Sequence, residues 1–107
     1  MNGARIGQVA VIFLSTRTAA DDAGYAAAAE AMDRLAAAQP GYCGIESARG
    51  ADGFGITVSF WADDASAKAW RDNAEHKAIR DAGRAIWYQD YEIAVADIHR
   101  SYSWTRA

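Results

Sequence analysis

Apolar and polar positions along the first third of the chain predict a strand followed by a helix. Residues 8–15 (QVAVIFLS) form a continuous apolar run that is rich in β-branched side chains. Such a run is typical of a strand that is buried on both faces. The alanine-rich segment 25–39 has apolar residues at helical spacing, with Asp21 or Asp22 as its N-cap and Gln-Pro-Gly at 39–41 to end it.

The middle of the chain predicts a β-hairpin. Residues 42–49 alternate weakly between apolar and polar, and residues 54–61 (FGITVSFW) alternate clearly. The connection 50–53 ends in Asp-Gly, a dipeptide typical of tight turns between strands. One face of the second strand carries large apolar side chains, whereas its other face, with Gly55, Thr57, Ser59 and Trp61, is mixed and partly small.

The last third repeats the order of helix and strand. Asp63 or Asp64 can cap a helix that runs through Trp70, and Asn73 can cap a second helical segment. The final element, residues 87–104, is predicted as one long strand. The order β-α-β-β-α-β is that of a ferredoxin-like α+β fold with an antiparallel sheet, and residues 1–107 are expected to form a single domain.

Hydrophobic content favours pairing with a second copy of the chain. Hydrophobic residues make up 51% of this 107-residue chain, including four Trp, five Tyr and three Phe. A four-stranded sheet with its helices on one face leaves the other face bare, and the run at 8–15 indicates that the bare face is apolar. We therefore expect a homodimer in which the sheets form an α+β barrel, with the long final strand able to cross to the partner. A ligand on that face of a monomer is the alternative.

Charge and composition exclude several function classes. The net charge of −3 provides no basic excess for binding nucleic acid, and no apolar run is long enough to span a membrane. Two His and one Cys far apart argue against a metal site. The lone Cys43 and an N-terminus without a hydrophobic signal core indicate a cytoplasmic protein.

Several short segments together resemble the antibiotic biosynthesis monooxygenase family of dimeric α+β barrels. The resemblance covers nearly the whole chain and specifies the fold far better than the reaction. Family members include cofactor-free oxygenases that convert polyketide phenols to quinones, haem-degrading monooxygenases and proteins of no known activity. The segments are the apolar first strand, QPGY at 39–42, ESARG at 46–50, Phe60-Trp61, Ala69-Trp70, NAEH at 73–76, Gly83-Arg84, Trp87-Tyr88 with Tyr91, and residues 99–102.

The first functional hypothesis that this resemblance implies is a cofactor-independent monooxygenase acting on a small aromatic substrate in an apolar pocket. Such chemistry needs a base, a cation to stabilise the substrate anion, and aromatic walls. The candidate catalytic residues are His76 as base, Asn73 to orient the substrate and Arg84 as cation, with Arg80 as the alternative cation. The candidate substrate-binding residues are Trp61, Trp70, Arg80, Trp87 and Tyr91. Each also has an ordinary structural role to weigh: helix capping for Asn73 and His76, core packing for the tryptophans, and an ion pair for Arg84.

Two other hypotheses remain open. Haem-degrading relatives use an Asn on the first strand, a Trp on the second helix and a His ten residues after it. Trp70 matches, but Arg80 occupies the position of the His, and the first strand has no Asn. On one continuous helix His76 would lie about 240° from Trp70, so haem is disfavoured unless the helix breaks near Asn73. The third hypothesis is a non-enzymatic small-molecule-binding or stress-related dimer.

Overall fold

The fold is a four-stranded antiparallel sheet with helices on one face. The structure, a computed structural model, describes residues 3–107. Within them the sheet has the order β2-β3-β1-β4, and each neighbouring pair is antiparallel. This confirms the ferredoxin-like α+β prediction, with the second helix divided in two. The elements are β1 (Val9–Arg17), α1 (Asp22–Ala37), β2 (Tyr42–Arg49), β3 (Phe54–Trp61), α2 (Asp64–Arg71), α3 (Ala74–Ala82), a π-helical turn (Gly83–Trp87) and β4 (Tyr88–Asp97).

Short polar side chains fix where the helices begin. Asp21 accepts a hydrogen bond from the Gly24 N–H at the start of α1. Asp63 accepts one from the Ser66 N–H at 2.8 Å at the start of α2. Asn73 accepts one from the His76 N–H at 3.0 Å and so caps α3, as the sequence indicated. Each bond satisfies a backbone donor that the first helical turn leaves unpaired.

The prediction that the final strand extends to residue 104 is wrong. β4 ends at Asp97, which pairs with Val9, the first residue of β1. Because β4 lies at the edge of the sheet beside β1, it loses its partner strand where β1 begins. Ile98 then exchanges backbone hydrogen bonds with Gly7 and Gln8, at 3.1 and 2.9 Å, and the residues after it have no regular structure.

A compact core lies between the helices and one face of the sheet. It consists of Val9 on β1, Ala36 on α1, Trp61 on β3, and Ala67 with Trp70 on α2. Trp61 is fully buried, and its indole N–H donates to the Ser59 hydroxyl at 2.9 Å. The apolar positions of β1 that point to the helices are therefore the odd-numbered ones.

The opposite face of the sheet is mainly apolar, with Glu46 and Glu92 toward its two edges, and no helix of residues 3–107 packs on it. At its centre Ile12 pairs with Val58 on one side and Ala94 on the other. Phe54 and Ile56 remain 45% and 42% exposed on it. The bare apolar face that the sequence predicted is thus present in the folded chain. No helix among residues 3–107 has both the length and the apolar character needed to cross a membrane.

Candidate functional site

A cavity of about 460 Å³ lies between the sheet and the helices. This volume is within the range typical of small-molecule sites. The sheet contributes mainly apolar side chains from all four strands, and the helices contribute small, apolar and aromatic ones. The principal lining residues are Val11, Phe13, Ile45, Thr57, Ile93 and Val95 from the sheet, and Tyr25, Ala29, Met32, Trp70, His76, Ile79 and Arg80 from the helices.

A break between α2 and α3 brings His76 against Trp70. Because α2 ends at Arg71 and Asn73 starts a new helix, the two rings are not on one continuous helix. Their centroids lie 4.1 Å apart, with the planes 14° from parallel. Trp70 in turn stacks on Trp61 at 5.7 Å. The expected 240° separation of His76 from Trp70 therefore does not apply to this protein.

The surroundings of His76 leave it neutral, with a defined free nitrogen. Its Nδ1 lies 2.8 Å from the carbonyl oxygen of Trp70. A carbonyl oxygen only accepts, so Nδ1 carries the proton and Nε2 keeps its lone pair. Burial lowers the pKa of His76 below its ordinary value, and the charge of Arg80 lowers it further against the opposing effect of the Trp70 hydrogen bond. At neutral pH His76 is therefore able to accept a proton at Nε2.

Arg80 supplies an unpaired positive group in the same cavity. Its Nε is buried, and no hydrogen-bond partner for it exists among residues 3–107. A buried donor left without an acceptor costs about 1–3 kcal/mol. The Arg71 and Lys68 side chains also line this cavity, and both residues are exposed. Arg80 stands four residues after His76 on α3, so its positive charge would attract an anionic oxygen bound in the cavity near His76.

A second group of aromatic side chains lines the cavity near the start of β4. The Phe13 ring lies 5.3 Å from Tyr88 and 5.2 Å from Tyr91, between centroids. Tyr25 on α1 makes edge-on contacts with Tyr88 at 5.9 Å and Trp87 at 6.2 Å. Burial, reinforced by Tyr25, raises the pKa of Tyr88 above its ordinary value, so its hydroxyl stays protonated.

An arginine on the edge strand holds this second group in place. The Arg49 guanidinium donates to the buried Ser15 hydroxyl at 2.7 Å and to the Tyr25 hydroxyl at 3.2 Å. To reach Ser15 it crosses Gly55, where a Cβ would lie 2.5 Å from the Arg49 Cζ. Sequence reasoning missed these residues, although the glycine opposite Arg49 in a strand was a usable signal.

The structure brings five of the eight candidate residues to the cavity wall, and they are His76, Trp70, Arg80, Trp87 and Tyr91. Trp61 lies behind Trp70 in the core instead. The Asn73 side chain caps α3. Arg84 is exposed and donates to the Tyr91 hydroxyl at 2.5 Å, so it contacts the cavity only through Tyr91.

The lowered pKa of His76 predicts a specific loss of stability in acid. The unfolded chain takes up a proton on His76 near the ordinary pKa of about 6.5, whereas the folded chain takes it up only at lower pH. Between those values the unfolded state binds more protons, so the free energy of unfolding falls as the pH drops. We expect wild type to lose stability relative to His76→Gln between about pH 7.5 and pH 5. Urea unfolding of both proteins at each pH measures this, and a difference independent of pH would contradict it.

Comparison with known proteins identifies the family. The family model described as antibiotic biosynthesis monooxygenase matches residues 8–82. The uncharacterized protein YqjZ of Bacillus subtilis is 47% identical over 91 residues, which cover 85% of this chain and 79% of YqjZ.

Solved structures share the fold at low sequence identity. SnoaB, a cofactor-independent oxygenase from Streptomyces nogalater, superimposes with a TM-score of 0.75 at 16% identity, covering 87% of this chain and 94% of SnoaB. Rv0793 from Mycobacterium tuberculosis superimposes with a TM-score of 0.78 at 15% identity, covering 90% of this chain and 99% of Rv0793. The family match and the shared fold agree, and the chain belongs to the antibiotic biosynthesis monooxygenase family.

Proposed function

We propose that this protein is a cofactor-independent monooxygenase that oxidises a small, electron-rich phenol to a quinone in the cavity between the sheet and the helices. The observation that carries the proposal is the neutral His76, whose Nδ1 is bonded to the Trp70 carbonyl and whose Nε2 is left to accept a proton. The positive charge of Arg80, which lines the same cavity, would stabilise an anionic intermediate. The fold shared with SnoaB, a cofactor-independent oxygenase, adds support at the level of the family.

The first step is removal of the phenol proton. His76 Nε2 accepts this proton, and Arg80 stabilises the resulting phenolate. Aromatic and aliphatic side chains form most of the cavity wall and lower the local polarity, which strengthens the attraction between the anion and Arg80. Phenolate is a much better electron donor than phenol, so this step prepares the substrate for direct reaction with dioxygen.

The second step forms the new carbon–oxygen bond. The phenolate transfers one electron to dioxygen, and the resulting phenoxyl radical and superoxide combine at a ring carbon that bears hydrogen. Protonated His76 returns its proton to the peroxide, giving a hydroperoxide. Loss of the ring hydrogen and cleavage of the O–O bond then yield the second carbonyl and one water. The balance is phenol plus dioxygen to quinone plus water, with no external reductant.

The arrangement of potential metal ligands fits a reaction that uses no bound metal. Among residues 3–107, no group of three or more His, Cys, Asp or Glu side chains is arranged to hold a metal ion. The break at Asn73 places His76 beside Trp70 and so removes one objection to haem degradation. That function is still less well supported, because Arg80 stands ten residues after Trp70 and β1 contains no Asn. A protein that only binds an aromatic ligand would use the same cavity walls without turning the ligand over. The lone Cys43 fits a cytoplasmic location for either activity.

Oxygen uptake tests the proposal. The protein, in buffer containing a metal chelator, is mixed with 1-naphthol or anthrone while dissolved oxygen and quinone absorbance are recorded. We expect oxygen consumption and quinone formation in equal amounts, dependent on His76. Uptake no greater than that of His76→Ala with either compound would contradict the proposal. Saturable binding of both compounds without uptake would favour the non-enzymatic role.

We also propose that the protein is a homodimer joined through the bare face of the sheet. That face has Ile12 at its centre, and Phe54 and Ile56 are exposed on it. Large contiguous apolar surfaces are uncommon on monomers, and a second copy would cover this one with the same surface.

A charge placed at the centre of this face tests the dimer. Ile12→Lys should convert the wild-type dimer to a monomer in light scattering, because the interface would bury an unpaired ammonium group. Ile86→Lys is the control, since Ile86 is 44% exposed and belongs to the π-helical turn and not to a strand of the sheet. A monomeric wild type, or a dimeric Ile12→Lys variant, would show that this face is not the interface.

A further inference from the structure

One series of aromatic rings leads from the cavity wall to side chains outside it. Trp70 lines the cavity, and its ring stacks on Trp61, which does not. Trp61 in turn contacts the ring of Tyr42, which is also outside the cavity wall. The other aromatic group is confined to residues that line the cavity, namely Phe13, Tyr25, Trp87, Tyr88 and Tyr91. Among the ring-to-ring contacts of residues 3–107, the series through Trp61 is therefore the one that leaves the cavity.

The rings of Tyr42, Trp61 and Trp70, which we call the aromatic series, touch at each step. The Trp70 and Trp61 centroids are 5.7 Å apart with their planes 24° from parallel. The Trp61 and Tyr42 centroids are 5.9 Å apart, with the rings edge-on. Both separations are typical of aromatic pairs in contact. Electron transfer weakens steeply with distance, so two short steps between touching rings are much faster than one long transfer.

The chemistry of these side chains suits the transfer of single electrons. Indole and phenol are among the side chains that give up one electron most easily. The Trp61 indole N–H donates to the Ser59 hydroxyl at 2.9 Å, and both residues are buried. Because a hydroxyl is too weak a base to remove a proton from an oxidised indole, Trp61 can lose and regain an electron without moving its proton. Tyr42 is only half-buried, at the start of the edge strand β2, so water is available to take its phenol proton.

We propose that the aromatic series carries oxidising equivalents out of the cavity, with electrons passing inward from Tyr42 through Trp61 to Trp70. An oxyl radical in the cavity takes one electron from Trp70 and one proton from water, and becomes a hydroxyl group. Trp61 then reduces Trp70, and Tyr42 reduces Trp61 as its phenol proton passes to water. The net change is transfer of one hydrogen atom from the Tyr42 hydroxyl to the oxyl radical. A soluble thiol returns a hydrogen atom to Tyr42.

The oxidant is one that the proposed function would generate. Oxyl radicals form when the O–O bond of a hydroperoxide intermediate breaks homolytically instead of losing water. Each such event gives an alkoxyl and a hydroxyl radical, and each radical needs one electron and one proton. This source of the oxidant rests on the proposed function, whereas the series itself rests on the ring contacts alone.

Pulse radiolysis tests the aromatic series without substrate or turnover. Azidyl radicals, which are small and uncharged and oxidise indole in preference to phenol at neutral pH, are generated in a solution of Trp87→Phe/Trp104→Phe. This variant keeps only Trp61 and Trp70 of the four tryptophans. We expect the visible absorbance of the indolyl radical to decay while that of a phenoxyl radical grows. The rate should be independent of protein concentration, as required for transfer within one chain.

Replacement of single rings in this variant assigns the path. Adding Tyr42→Phe, which keeps the ring and removes the phenol, should abolish the delayed growth of phenoxyl absorbance. Adding Trp61→Phe should abolish it too, because Trp70 is then separated from Tyr42. Tyr102→Phe is the matched control, since Tyr102 is 71% exposed beyond the end of β4, and it should leave the growth unchanged. Absence of the growth in the parent variant, or its survival in a correctly folded Tyr42→Phe protein, would overturn the inference.

The lifetime of the protein during turnover separates this inference from the proposed function. With 1-naphthol, Tyr42→Phe should have the initial rate of wild type but become inactive after fewer turnovers, because radicals left in the cavity would attack its wall. Radical transfer to Tyr42 without oxidation of any phenol would uphold the aromatic series and refute the oxygenase. Phenol oxidation with equal lifetimes for the two proteins would uphold the oxygenase and overturn the protective role of the series.

Discussion

Replacement of His76 by alanine should lower kcat/KM for phenol oxidation by about 100- to 10,000-fold, the range usual for loss of a general base. The reason is that His76 lies in the cavity wall, where burial keeps its ring neutral. Its Nε2 carries the lone pair that would accept the phenol proton. Because the pKa is lowered, the wild-type rate should also persist below pH 6.5, where an ordinary histidine is already half protonated. Steady-state quinone formation as a function of pH measures both effects.

His99→Ala is the matched control for this variant. His99 is the other histidine of the chain, and it is exposed after the end of β4. We expect its removal to leave kcat/KM within about twofold of wild type, as usual for an exposed residue remote from the site. A similar small effect for His76→Ala, with its fold intact by circular dichroism, would refute the role of His76 as base.

Trp61→Ala should cause a large loss of stability, about 3–5 kcal/mol. Trp61 is fully buried at the centre of the core, where it contacts the Tyr42 ring edge-on and stacks on Trp70. Truncation would leave a cavity and remove the donor that satisfies the buried Ser59 hydroxyl. Domains of this size are typically stable by about 5–15 kcal/mol, so the variant should be close to unfolding at room temperature.

The control for Trp61 is the same truncation at an exposed site. Trp104 is 76% exposed near the C-terminus, so Trp104→Ala should change the free energy of unfolding by no more than about 0.5 kcal/mol. Urea unfolding at equal protein concentrations gives both values. Equal losses for the two variants would mean that Trp61 does not anchor the core.

Local sequence determined the elements that the pattern predicted well. β2 and β3 have the predicted bounds, because alternation and the Asp-Gly turn are encoded within a few residues. Asp63 and Asn73 cap their helices through bonds to residues three positions later, an interaction that spacing alone reveals. Burial of Trp70 beside the break at Asn73 was likewise readable from helical spacing.

The remaining features depend on contacts between distant parts of the chain. β4 ends where β1 begins, so its C-terminal bound is set by pairing with Val9 and not by residues 98–104 themselves. Arg49 reaches Ser15 across 34 residues of sequence, and its contact with Tyr25 follows from packing of α1 on the sheet. The contact between His76 and Trp70 depends on the angle between α2 and α3. Asn73 allows the chain to change direction between the two helices, but it does not set that angle.

Isotopic labelling of the product tests the central claim most directly. The protein and 1-naphthol are incubated under ¹⁸O₂ in unlabelled water with a chelator present. The mass of the quinone is then measured by mass spectrometry. We predict that each quinone molecule carries one ¹⁸O atom. The His76→Ala variant should form no quinone at an appreciable rate. Quinone that carries oxygen from water, or that forms equally fast without His76, would contradict a monooxygenase based on this cavity.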